Sequence, residues 1–174
     1  MRSLSRALSR SVLAAVLTAC ASSNANLPTY APDQAIPLPE STVSQIRTAA
    51  IRHFGRGTQQ IMCVGVSANF EMSGSPMVVD APEIFLRLLG SRDRFRQYSQ
   101  CRTSTSGGSA GVRTVSGQTA TIITLGRPFG LADGRAVVNL WERSSLRSDR
   151  YRCMAEISPD GVWAITRCRR EWGG

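Results

Sequence analysis

The chain has 174 residues, 42% of them hydrophobic, and a formal net charge of +9. That length suits one domain and that apolar share suffices for a core, so neither several domains nor a coreless chain is expected. All 21 basic residues are Arg, a bias that reads as a GC-rich genome rather than a function.

Arg2, Arg6 and Arg10 precede an apolar run, Val12-Leu13-Ala14-Ala15-Val16, and then small residues. A charged start, a short apolar centre and a slim cut site make a secretory signal. The run is far short of the ~20 residues a spanning helix needs. Leu17-Thr18-Ala19-Cys20 resembles the bacterial lipobox. In that family the Cys thiol receives diacylglycerol, cleavage falls before it, and the new amino group is acylated. The resemblance implies a signal peptide over 1–19 and a lipidated Cys20, anchored stably by several acyl chains. The alternative is an ordinary signal peptide cut nearby, with Cys20 incidental. Position 21 is Ala, not the inner-membrane retention Asp, which by resemblance favours the outer membrane, facing the periplasm. Losing the three signal arginines leaves 18 against 12 acidic residues, a balance of +6. Such a charge suits anionic lipid or polyanions. Export makes a nucleic-acid partner unexpected.

Residues 20–40 hold Pro28, Pro32, Pro37 and Pro39 among small polar residues and read as a tether of up to roughly 60 Å. Residues 41–174 read as one domain. Val43, Ile46, Ala50 and Phe54 recur at helical spacing behind a possible capping box of Thr42 and Gln45, which predicts a first helix over Thr42–Phe54. His53 lies off that apolar stripe. Gln60–Ala68 reads as a strand, and Ser73–Pro76 as a turn. Asp80-Ala81-Pro82-Glu83 reads as a capped start to a second helix that Gly90 ends. Arg94–Arg102 reads as the second strand. After a Ser/Thr/Gly loop, the runs Val112–Arg127, Arg135–Arg143, Arg150–Ser158 and Val162–Trp172 are separated by short breaks, as in an antiparallel meander.

Setting Cys20 aside leaves Cys63, Cys101, Cys153 and Cys168. An even count in an oxidising compartment implies two disulfides. Zinc is disfavoured, because no C-x₂-C pair occurs and His53 is the single His. Cys153 and Cys168 flank the Pro159-Asp160-Gly161 turn. Pairing Ile157 with Ala164 sets them opposite each other, and a register shifted by two leaves them diagonal on the same face. Either way a bridge is feasible, and Tyr151, Ala155, Val162 and Ala164 share the core face with Ile157. Cys63 then pairs with Cys101. In parallel strands these ends would lie about 17–20 Å apart, beyond disulfide reach, so the first two strands are expected to run antiparallel. The alternative is that Cys101 lies in a loop, where either topology permits the bridge.

The fold class expected is α+β: an N-terminal helix packed on a curved antiparallel sheet, built from a strand-helix-strand unit and then a four-strand meander, with two disulfides. The order of elements resembles the cystatin-like or nuclear-transport-factor-like rolls. The stretch from Cys63-Val64-Gly65-Val66 through Asp80-Ala81-Pro82 to Ser99-Gln100-Cys101, with Gly161-Val162-Trp163, is similar to small exported bacterial proteins of unassigned function. Neither resemblance brings a catalytic residue with it.

Gly107-Gly108-Ser109-Ala110-Gly111 matches G-x-S-x-G, but its flanks are loop-like and His53 lies upstream, so it reads as a linker. No catalytic residue, cofactor or metal is expected. Arg150 and Arg152 alternate away from the Cys153 face, and Arg167 and Arg169 oppose them, sharing that outer face with Met154, Trp163 and Ile165. Facing like charges destabilise, so Glu156, Glu142, solvent or an anionic ligand must offset them. Arg forks suit phosphate and carboxylate. The patch is therefore a candidate for anionic lipid, peptidoglycan or an acidic envelope protein, the competing reading being a solvated face of internal ion pairs. The functional expectation is a noncatalytic binding or assembly domain held at the envelope by its N-terminal lipid. A small-ligand or peptide binder with a cavity between helix and sheet is the alternative, and an envelope enzyme a third. The sequence leaves the oligomeric state open.

Overall fold

A computed structural model describes residues 35–69, 77–90, 94–104, 111–145 and 147–173. The signal, Cys20, the Ser73–Pro76 turn and the Gly107–Ala110 stretch lie outside the described residues. Helix α1 (Glu40–Gly55) buries Val43, Ile46, Ala50 and Ile51, following the spacing in the sequence. The expected capping box does not form: Pro39 occupies the N-cap without a side-chain cap. Glu40 instead meets Arg127 at 2.5 Å. Residues at the end of the tether lie against the domain. Ile36 exchanges backbone hydrogen bonds with Gly130 at 3.0 and 2.8 Å, and Leu38 packs on the core.

The main sheet runs β10 (Trp163–Gly173), β9 (Ser148–Ile157), β8 (Ala136–Arg143), β6 (Ala120–Leu125), β1 (Ile61–Ser67) and β2 (Val78–Asp80). Strand β3 (Phe95–Gln97) also pairs with β1, and β7 (Phe129–Gly130) with β8. From β6 through β8 and β9 to β10 the pairs are antiparallel, the expected meander. The first run of the expected meander divides, however. Its start, β5 (Gly111–Thr114), pairs instead with β4 (Cys101–Ser104) in a separate two-stranded sheet. Helix α2 (Glu83–Leu88) lies between β2 and β3. Asp80 does not cap α2. It ends β2, and its carboxylate accepts from Ser99 N–H at 2.6 Å and Ser99 Oγ–H at 2.7 Å.

The expectation that the first two strands run antiparallel is overturned. β3 pairs parallel with β1, Met62 beside Phe95. The disulfide still closes because a 3₁₀ turn over Tyr98–Gln100 separates β3 from β4. Cys101 belongs to β4, and it bonds Cys63 with Cα atoms 6.1 Å apart. The bridge thus joins two sheets rather than two neighbouring strands. Around it pack Val112, Ala120 and Ile122, a small core beneath the β4–β5 hairpin.

The opposite face of the main sheet carries the large core. Val64, Ile123, Leu125, Val138, Leu140 and Ala155 meet Ile46, Ala50 and Ile51 of α1 and Phe85 and Leu86 of α2. β1 and β6 are parallel, so their carbonyl ends emerge together. Arg47 of α1 serves both, donating to Ser67 O at 2.7 Å and Gly126 O at 3.3 Å. Burial, helped by the neighbouring Arg127 charge and opposed by Glu40, pulls its pKa down to about 10.

Cys153 and Cys168 are direct cross-strand partners and are disulfide-bonded. At this end of the hairpin the expected register holds. Thr166 is then an extra residue between the Ile165 and Arg167 pairs, so Trp163 rather than Ala164 stands opposite Ile157. A bulge exchanges the faces of every residue beyond it. Trp163 and Ile165 therefore pack against the core, where Val162 and Ala164 were expected, and Val162 is exposed.

Candidate functional site

The pleat of β8–β10 sets which side chains share the outer face. Met154, Arg152 and Arg150 follow one another along β9, opposite Val137, Asn139 and Trp141 of β8. On β10, Arg167 stands opposite Met154, and Arg169 opposite Arg152. The four predicted arginines are thus brought to one face. Trp163 and Ile165 are not, because of the bulge.

The charge that offsets the Arg152–Arg169 pair is Glu171, which the sequence reading did not single out. Its Oε1 lies 3.1 Å from Arg152 Nε and 3.3 Å from Arg169 Nη2. Arg152 Nε also lies 3.3 Å from Asn139 Oδ1. Glu171 falls between the register pairs of Arg170 and Trp172, where a second irregularity re-aims the strand. Glu156 lies 3.9 Å from Arg135 instead. Glu142 pairs in register with Asp149 and Ile123, on the core side of the sheet.

Two members of the cluster, Trp141 and Arg143, were missed in the sequence. Arg143 and Arg150 both lie over the Trp141 ring, at 5.2 and 5.7 Å from its centroid. Such cation–π contacts attract the guanidinium charge to the ring face. The period-2 alternation of Trp141 and Arg143 was readable, but its face depends on the β8–β9 register. Arg167 is exposed at the other end of the row. Five arginines, Arg143, Arg150, Arg152, Arg167 and Arg169, thus line three adjacent strands, with Glu171 between two of them. Beside Arg167, Met154 belongs to a small outer cluster with Phe129, Leu131 and Val137, on which Ala35 packs. The chain therefore enters the domain at the margin of the arginine face.

Other polar groups are structural. Asp149 is fully buried at the core-side end of β9. Arg147 Nε lies 2.9 Å from one carboxylate oxygen and Arg170 Nη2 2.6 Å from the other. The Tyr151 hydroxyl donates to Asp149 at 3.2 Å. Burial raises the Tyr151 pKa, and the Glu142 and Asp149 charges add to the rise. Among the described residues no three His, Cys, Asp or Glu side chains converge as a metal site. No helix among them is long and apolar enough to cross a membrane.

A groove of about 580 Å³ lies between α1 and the start of β10. His53, on its wall, stacks edge-on against Phe54 and is held below its usual pKa, first by burial and then by Arg56. Unfolded His53 takes up its proton at a higher pH than folded His53. Its contribution to stability is therefore complete above pH 6.5 and is lost as pH falls through the native value. Thermal melts should show a steeper loss of stability below pH 6.5 for the wild type than for His53→Gln. Parallel curves would contradict this.

Comparisons with known protein families, with curated proteins and with solved structures each find no match.

Proposed function

We propose that the chain is an exported lipoprotein, anchored through Cys20 and the tether over residues 20–40. Its noncatalytic domain lays the arginine face on anionic headgroups of the membrane that holds it. The observation that carries this reading is the row Arg143, Arg150, Arg152, Arg167 and Arg169 on one face. The tether reaches the domain beside that row, where Ala35 packs on the Met154 cluster. A tether that joins the domain at this margin leaves the arginine face within reach of the lipid surface, and guanidinium forks match phosphate oxygens. The helix wrapped by a curled sheet supports a cystatin-like or nuclear-transport-factor-like roll as its architecture. The parallel β1–β6 pair departs from the wholly antiparallel sheet of that expectation.

The test uses the full chain with Cys20→Ser, so that the acyl anchor does not mask the contact. It should sediment with vesicles rich in anionic phospholipid and not with zwitterionic ones. Each basic residue near such a surface is worth about 1 kcal/mol, so Arg152→Glu with Arg167→Glu should weaken binding at least about thirtyfold. Unchanged vesicle binding would sink the proposal. Preference for isolated peptidoglycan over vesicles would move the contact from headgroups to wall carboxylates.

A further inference from the structure

β10 is the outermost strand of the main sheet, and among the described residues no strand pairs with its far side. The Val162 carbonyl accepts from Ser158 N–H at 2.8 Å. Antiparallel pairs alternate, so the Ala164 amide and carbonyl turn towards β9. Those of Trp163 and Ile165 then face away from it, towards the open edge. The groove beside this edge is lined by four consecutive residues, Val162 to Ile165. Successive strand side chains point to opposite faces. A wall made of four in a row is therefore the strand's edge, not one of its faces.

The facing wall is α1. Ser44, Thr48, Arg52 and Arg56 follow at four-residue spacing, so short hydroxyl side chains give way to two cations at the helix C-terminal end. No Asp or Glu stands among the described residues that line the groove. Leu88 and Val162 are exposed there, at 57% and 58%, and Trp163 is half-buried. Arg52 Nη2 donates to Leu88 O at 2.9 Å, and among the described residues neither Arg52 nor Arg56 meets a carboxylate. Free backbone groups, apolar side chains and two arginines without an acidic partner thus meet along one line. A second copy of β10 is a poor occupant: that strand carries Arg167, Arg169 and Arg170, and like charges facing across strands repel.

We infer that the groove takes an extended acidic segment of another envelope protein, added as a strand to the β10 edge. The segment's backbone pairs with Trp163 and Ile165, its apolar side chains cover Leu88 and Trp163, and its carboxylates meet Arg52 and Arg56. Strand addition supplies affinity through main-chain hydrogen bonds and specificity through alternate side chains. This rests on the reading of the domain as a binding module. The groove lies on the helix-bearing side of the sheet, so a domain resting on its arginine face would offer it away from the membrane.

The test is amide hydrogen exchange on the full Cys20→Ser chain, with a synthetic peptide of alternating Glu and Val and a control of alternating Lys and Val. At saturation with the Glu peptide, exchange at Trp163 and Ile165 should slow by at least about tenfold, with Ala164, already paired, unchanged. The Lys peptide should not bind. Arg52→Glu with Arg56→Glu should weaken the Glu peptide by at least about tenfold. The two peptides alone decide the matter if that variant misfolds. Equal binding of both peptides, binding without slowing at Trp163 and Ile165, or no binding would overturn the inference. So would slowing that depends on protein concentration alone, which would assign the edge to a second copy. Arg152→Glu with Arg167→Glu lies on the other face and should leave peptide binding intact. Loss of peptide binding with vesicle binding retained would fell the groove and spare the arginine face.

Discussion

Replacing Cys63 and Cys101 together by alanine should lower the stability of the domain by about 4 kcal/mol. The bridge spans 38 residues, and tying such a loop removes much of the freedom of the unfolded chain. It also joins the β4–β5 hairpin to the main sheet over Cys63, Ala120 and Ile122. Denaturant unfolding of the oxidised and variant chains measures the loss. Exchange at the Val112 amide should rise with it, because that side chain packs directly on the bridge. The Cys153–Cys168 bridge spans only 15 residues and lies within an antiparallel hairpin, so its removal should cost less, about 3 kcal/mol. A larger loss at Cys153–Cys168 would contradict the picture of the first bridge as the tie between sheets.

Leu140→Ala should cost about 3–4 kcal/mol, within the range for truncating a fully buried leucine. Leu140 stands at the middle of the sheet, between Leu125 of β6 and Tyr151 of β9, with no exposed surface. Its removal takes contacts from both neighbours and leaves a void beneath α1. Ile157→Ala, on the same sheet but 57% exposed, should change stability by less than about 0.5 kcal/mol. Matched denaturation curves compare the two. Equal effects would mean that the buried face of the sheet is not the one described.

Much of this fold was legible in the residues. The spacing of Val43, Ile46 and Ala50 marks α1, and the apolar run around Cys63 marks β1. Both disulfide pairings follow from four cysteines and one hairpin. Direction was not legible. A seven-residue strand reads the same in either pairing sense, and the turn at Tyr98–Gln100 that frees Cys101 from β3 has no periodic signal. The division of the run Val112–Arg127 turns on Gly117, whose φ of 86° marks a turn that the sequence reading passed over. The bulge at Thr166 was invisible for a similar reason: alternation continues on both sides of it, and only the pairing with β9 reveals the added residue.

The same limits apply to the candidate sites. Arg150, Arg152, Arg167 and Arg169 share a face because the register at the cysteine end of the hairpin follows from the cysteines themselves. Glu171 sits at an irregularity, so period-2 counting gives no assignment for it. The groove depends on α1 packing against an edge strand, which is a property of sheet order and not of any local pattern.

What joins these surfaces to the cell envelope is the fate of residue 20. Mass spectrometry of the N-terminal peptide, taken from protein extracted with the membranes of the cells that make it, reads that fate directly. The expected species begins at Cys20 and carries diacylglycerol on its thiol and an acyl chain on its amino group. A mature chain that begins elsewhere, with residue 20 absent or its thiol free, would contradict the anchored lipoprotein.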